Sequence, residues 1–218
     1  MTRSLNIACL QTQPQPDFSS ALDEALELAV RAIGVGAEFL ALPEYCGGLK
    51  TEGAALIPPV ADEEDHPVLT GLRAFARENK TWISVGSVAV PGPNGKILNR
   101  SFLIDDVGNI RTRYDKIHMF DIQLSETEVY RESAHVSAGS EAVISRTPFA
   151  ALGHSICYDL RFPGLYRISG FRQFLGLHRI PALELDGWVI AHRRLNKKVI
   201  PIQYAELTLM GRSTHNNT

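Results

Sequence analysis

The chain has little cysteine, no long apolar run and almost no excess charge of either sign. Each shortage excludes something. The three cysteines, Cys9, Cys46 and Cys157, form no CxxC pair and are odd in number, so neither a disulfide framework nor a zinc cluster is supported. Apolar stretches such as Phe39 to Pro43 and Trp82 to Val90 are cut by charge or proline well short of the ~20 residues that cross a bilayer. The opening Met1-Thr2-Arg3-Ser4, running into Leu5 to Leu10, lacks the length and the cleavage site of a secretory signal, which gives the expectation of a cytoplasmic protein without membrane contact. A net charge of −2 leaves nucleic acid without an electrostatic footprint. Glycine and proline, at 17 and 12, are too sparse for low complexity, and 44% hydrophobic with 21% charged residues is a balance that builds a core. A length of 218 residues suits one domain.

Periodicity gives the fold class. Leu5 to Gln11 alternates and is short, as a strand does, and Pro14 and Pro16 follow it. A helix is expected next, capped by Asp17 or Ser19, with Leu22, Leu26, Ala29, Val30 and Ile33 at helical spacing and Gly34 and Gly36 as its stop. Phe39 to Pro43 is a compact apolar run, so strand, helix and strand occur within the first 44 residues, an α/β order. His66 to Lys80 reads as a second helix with Pro67 in its first turn, and Trp82 to Val90 as a buried strand. Asn94-Gly95 and Gly108-Asn109 are hairpin signals, because those residues tolerate positive φ. Ser101 to Ile104 and Ile110 to Tyr114 are then paired strands, and the sheet is mixed. Lys116 to Ser140 reads as a long irregular loop, of a length usually tied to function. Two further strands are expected at Ala142 to Thr147 and Leu152 to Cys157.

Three segments set reactive side chains near strand ends: Leu42-Pro43-Glu44-Tyr45, Tyr114-Asp115-Lys116-Ile117-His118 and Ser155-Ile156-Cys157-Tyr158-Asp159-Leu160-Arg161-Phe162-Pro163. Open α/β sheets place their sites at such ends. A thiol nucleophile needs a base for its proton and a donor for the oxyanion it creates on a carbonyl, and Glu44, Cys157 and Lys116 are residue types suited to those roles. Spacing alone does not bring them together.

In this order the three segments resemble the carbon-nitrogen hydrolase (nitrilase) superfamily, and Cys157 to Pro163 followed by Leu165-Tyr166-Arg167 is most similar to its Nit-type amidase branch. The resemblance implies an α-β-β-α sandwich with mixed sheets over residues 5–167. It implies a Glu-Lys-Cys triad in which Cys157 attacks the amide carbon, Glu44 acts as general base and acid, and Lys116 with the backbone N–H of Tyr158 holds the oxyanion. Glu132 falls where the family carries a second glutamate that positions the lysine and the substrate. The reaction implied is hydrolysis of a small linear carboxamide, an omega-amide or deaminated glutathione, releasing ammonia through a thioester. No cofactor or metal is needed, and the family suggests a homodimer or higher homo-oligomer. Carbamoyl-amine hydrolysis and nitrile hydrolysis are alternatives within the same chemistry. Cys9, Cys46, His118, His135 and His154 read as structural or loop residues, and Tyr45 and Arg161 as candidates for substrate contact or support.

The resemblance stops at Arg167. Residues 1–167 carry fifteen basic and twenty-one acidic side chains, whereas 168–218 carry seven and three. The family's alanine-rich helix and closing strands are not recognisable in Ile168 to Thr218, which reads as a divergent basic tail of truncated or frame-altered origin. The fold is accordingly expected to be incomplete at that end. An inactive chain, or a fragment that pairs with a homologue, is the corresponding non-catalytic alternative.

Overall fold

Alternation along the first strand sorts its side chains onto two faces, and both faces are buried. The computed structural model describes residues 3–52, 55–168 and 202–209. In β1 (Arg3–Leu10), Ala8 and Leu10 face one cluster while Leu5, Ile7 and Cys9 face another. The same division continues through β2 (Phe39–Ala41) and β5 (Trp82–Pro91): Leu40, Ile83 and Val85 point one way, Phe39, Ala41 and Trp82 the other.

Two helices cover the first face. In α1 (Phe18–Gly34) the Asp17 carboxylate accepts from Ser20 N at 2.9 Å, a cap worth about 1 kcal/mol. Its buried stripe is Ala21, Ala25, Leu28, Ala29 and Ala32, small side chains that let the helix lie close against its neighbours. Leu22, Leu26 and Ile33 flank that stripe as expected, but Val30 is exposed. The alanines, not the larger apolar residues, set the inward direction. Helix α2 (Pro67–Asn79) packs beside α1 through Val68, Leu69, Leu72, Phe75 and Ala76, and ends at Lys80 in the left-handed conformation. No helix among the described residues is long and apolar enough to cross a membrane.

The principal sheet runs β12-β1-β2-β5-β6-β7, where β6 is Ile97–Ile104, β7 Ile110–Asp115 and β12 Ile202–Leu209. Strands β1, β2 and β5 are parallel, β5, β6 and β7 antiparallel, so the sheet is mixed as the sequence implies. Asn94 and Gly95 take φ of 57° and 72° in the β5–β6 turn, and Gly108 takes 82° in the β6–β7 turn. Its second face is partly covered by the hairpin of β10 (Ile144–Arg146) and β11 (Ala151–Gly153), whose connecting Phe149 meets Phe39 and Trp82 edge-on.

Small hairpins complete the rim: β3 (Lys50–Glu52) with β4 (Ala55–Ile57), and β8 (Asp121–Gln123) with β9 (Val129–Arg131). The second of these lies within Lys116 to Ser140, which is therefore not wholly irregular. Its polar strands alternate too weakly to be seen without their partners. The final helix α3 (Pro163–Ile168) follows the turn that carries Cys157. Most of the expected basic tail, 169–201 and 210–218, lies outside the described residues. Sequence reading gave the tail no strand, yet the backbone of Ile202–Leu209 pairs antiparallel with β1 over its whole length.

Candidate active site

Glu44 is delivered by a turn that needs a glycine on the neighbouring strand. The ladder between β5 and β6 shifts register between Val85 and Val88. A Cβ on Gly86, within that bulge, would stand 2.2 Å from the carbonyl oxygens of both Leu42 and Pro43. Only glycine admits the Pro43-Glu44 backbone this closely. Ser87 then fixes the turn: its N–H donates to Pro43 O, its hydroxyl accepts from Tyr45 N at 2.9 Å, and its carbonyl accepts from Cys46 N. Tyr45 sits at φ 53° as the chain reverses.

Lys116 follows the last residue of β7 and continues its ladder, donating N–H to Asn99 O at 3.0 Å. The segment 135–139 braces it from outside, with Gly139 N on Lys116 O at 2.8 Å. A Cβ on Gly139 would meet Asp115 O at 2.3 Å. Asp115 turns away from the site to a two-point contact with Arg100 at 2.7 and 2.9 Å. The Lys116 side chain, 2% exposed, passes inward and ends between two carboxylates: Nζ lies 3.0 Å from Glu44 Oε1 and 2.9 Å from both oxygens of Glu132. Glu132 also accepts from Phe120 N at 2.6 Å. Burial opposes the Lys116 charge, but Glu44 and then Glu132 outweigh it and hold its pKa above the ordinary lysine value. The Tyr45 phenol is pushed up as well: burial, then the Glu44 charge, keep it protonated.

Cys157 opens a short turn, Cys157–Arg161, with φ 47°, an uncommon conformation for a residue bearing a side chain. Of the three cysteines it is the exposed one. A charge on its sulfur would act on both Lys116 and Tyr45, so Cys157 lies within electrostatic reach of the carboxylate–lysine cluster. Asp159, fully buried, secures this turn: it accepts from Ile156 N and Tyr114 Oη with one oxygen and from His118 N and Nδ1 with the other, at 2.7 to 3.0 Å. His118 further stacks on Phe162 with centroids 3.7 Å apart. One carboxylate thus ties the Cys157 turn to both sides of Lys116.

The structure therefore brings Glu44, Lys116 and Glu132 into contact and sets Cys157 beside them, although residues 44 and 116 are 72 positions apart. Tyr158 follows Cys157 in the turn, its ring edge-on to Phe120 and Phe162. Arg161 is exposed at the end of the turn. Cys9 and Cys46 are buried, with thiol pKa values raised by burial, Cys46 to about 12, and neither joins the cluster. His154 hydrogen-bonds Ser145 at 2.6 Å in the β10–β11 hairpin. Sequence reading missed Asn99 and the part Asp159 plays. Asparagine is disfavoured inside a strand, and Asn99 within Ile97–Ile104 carries that signal.

A family model for carbon-nitrogen hydrolases matches residues 6–172. The chain belongs to the carbon-nitrogen hydrolase family. Among its relatives, deaminated glutathione amidase of Yersinia enterocolitica is 32% identical over 169 residues, covering 76% of this chain and 58% of its own length. The enzyme of the same name from Synechocystis is 36% identical over 168 residues, with 73% and 60% covered. The crystal structure of the Caenorhabditis elegans NitFhit protein shares the fold at a TM-score of 0.67 and 27% identity, over 78% of this chain and 42% of that one. The chain thus spans about 60% of the length of these two relatives.

Proposed function

We propose that this hydrolase-family chain carries the Glu44–Lys116–Cys157 site of a thiol amidase acting on a small linear carboxamide. The observation that carries the reading is the buried Lys116 ammonium held at 3.0 and 2.9 Å between Glu44 and Glu132, with Cys157 in a strained, exposed turn beside it. A residue argued to hold an oxyanion must keep its charge, and the two carboxylates ensure that.

In the proposed cycle Glu44 takes the Cys157 thiol proton as sulfur bonds to the amide carbon, and the carbonyl electrons move onto oxygen. That oxyanion is held by Lys116 Nζ and the Tyr158 N–H, each such donor being worth roughly 3 kcal/mol. Glu44 passes the proton to nitrogen, the carbon–nitrogen bond breaks, and ammonia leaves a thioester. Water, deprotonated by Glu44, then cleaves the thioester to the carboxylic acid and the free thiol. Glu132 keeps Lys116 in place. The scheme calls on these protein groups and water.

The names of relatives, deaminated glutathione amidase and, at 28% identity, a mouse omega-amidase, favour deaminated glutathione or an omega-amide as substrate over nitriles and carbamoyl amines. The test is ammonia release by the purified full chain from a panel of omega-amides, deaminated glutathione, carbamoyl amines and nitriles. Turnover of a carboxamide that Cys157→Ala abolishes and Glu44→Gln lowers at least about 10³-fold is expected. No turnover of any compound by a folded chain would overturn the reading in favour of a non-catalytic family member.

A further inference from the structure

Asn99 is a polar side chain in a place where packing alone gives no reason for one. It lies in β6 between Leu98 and Arg100, is fully buried, and shares its face of the strand with the buried Ser101. Its Nδ2 donates to Glu44 Oε1 at 2.8 Å, shorter than the 3.0 Å contact that the same oxygen accepts from Lys116. Its Oδ1 is buried without a donor among the described residues. A buried acceptor with no donor is destabilising, so an apolar residue would serve the strand better unless the amide's donor half is needed.

The need is electrostatic. Glu44 is nearly buried and must be ionised to accept a proton. Lys116 supplies one positive charge but shares it with Glu132, which takes two contacts at 2.9 Å and a further N–H from Phe120. Two carboxylates and one ammonium leave the cluster net negative, with Cys157 and the Tyr45 phenol beside it. A second donor on Glu44 that carries no titratable proton offsets that imbalance without adding charge. The backbone enforces the arrangement, since Lys116 N donates to Asn99 O and both side chains start from adjacent strands toward one oxygen.

We infer that Asn99 is a positioning residue for the reaction, holding Glu44 Oε1 so that the carboxylate stays ionised and in register with Lys116 and Cys157. It acts through Glu44 and touches no substrate. The inference rests on Glu44 serving as the base.

The test reads Glu44 directly. In the full chain labelled with ¹³C-carboxyl glutamate, the Glu44 resonance, assigned by its loss in Glu44→Gln, is titrated in the native protein, Asn99→Ala and Asn99→Asp, beside carboxamide turnover and thermal melting. Asn99→Asp differs from the native side chain by little in shape and serves where Asn99→Ala does not fold. A rise of the Glu44 midpoint by at least about one pH unit in either folded variant, largest in Asn99→Asp where two carboxylates share a proton, is the expected result. In an active enzyme kcat falls at least 10-fold, KM changes little, and the acid limb of the rate profile moves up with the midpoint. A packing role lowers the melting temperature but leaves the midpoint in place, and an unmoved midpoint in a folded variant overturns the inference. Turnover with an unmoved midpoint sinks the Asn99 role alone; a moved midpoint without turnover sinks the amidase reading alone.

Discussion

At the residue scale the molecule is organised around one buried cation. Lys116 is held by Glu44 and Glu132, and removing it leaves two carboxylates facing each other out of water. Lys116→Met is therefore expected to cost about 3–5 kcal/mol of stability as well as turnover, because a broken buried pair strands its partners. Chemical denaturation checks it. Lowering the pH should restore part of that loss, since one stranded carboxylate can then take a proton. Glu44, Lys116 and Cys157 are legible as candidates because their neighbours in the chain form recognisable motifs. Asn99 and Asp159 are not, because their roles exist only after folding: Asn99 meets a side chain 55 positions away, and Asp159 gathers donors from Tyr114, His118 and Ile156.

At the scale of elements, close backbone approach decides where the site can form. The β5 bulge at Gly86 makes room for the Pro43-Glu44 turn, and a Cβ there would meet two carbonyl oxygens at 2.2 Å. Gly86→Ala should displace Glu44 and destabilise the fold by roughly 2 kcal/mol or more, with activity falling further than stability explains. Melting temperature and turnover measured together check this, and an unchanged kcat would contradict it. Strands and helices of regular period, β1, β2, β5, β6 and β7 with α1 and α2, are legible in the sequence because alternation and helical spacing survive without partners, whereas the three-residue strands β3 and β4 are not. Two further features escape it. Val30 fits the helical period but faces solvent, since the alanines of α1 choose the contact face. The β8–β9 hairpin has polar, three-residue strands whose only signal is each other.

For the whole molecule, acid stability follows from two buried histidines. His66 is fully buried with neither ring nitrogen hydrogen-bonded among the described residues, and His154 is buried beside the β10–β11 hairpin. Burial lowers both pKa values from the ordinary 6.5 to about 4. The unfolded chain then binds protons that the folded chain does not, so this stability is fully present above pH 6.5 and is lost as the pH falls from 6.5 through 4. The melting temperature should decline across that window and decline less steeply in His66→Leu. A melting temperature constant from pH 7 to pH 4.5 would contradict the assignment. The layered arrangement of two helices, a mixed sheet and the covering hairpin was legible at this scale through the family resemblance, whereas the pairing of Ile202–Leu209 with β1 was not, because that strand lies in the stretch where the resemblance has ended.

The most direct test of the central claim, that Glu44, Lys116 and Cys157 form an assembled site in this chain, is alkylation of the native full chain with limiting iodoacetamide, followed by mass mapping of the three cysteines. Cys157 is exposed beside a buried ammonium, whereas Cys9 and Cys46 are buried with raised thiol pKa values. Modification confined to Cys157, and slowed by Lys116→Met in a variant that remains folded, is the predicted result. Equal modification of Cys9, Cys46 and Cys157 would mean that the cluster is not held together in solution, and the account would be wrong.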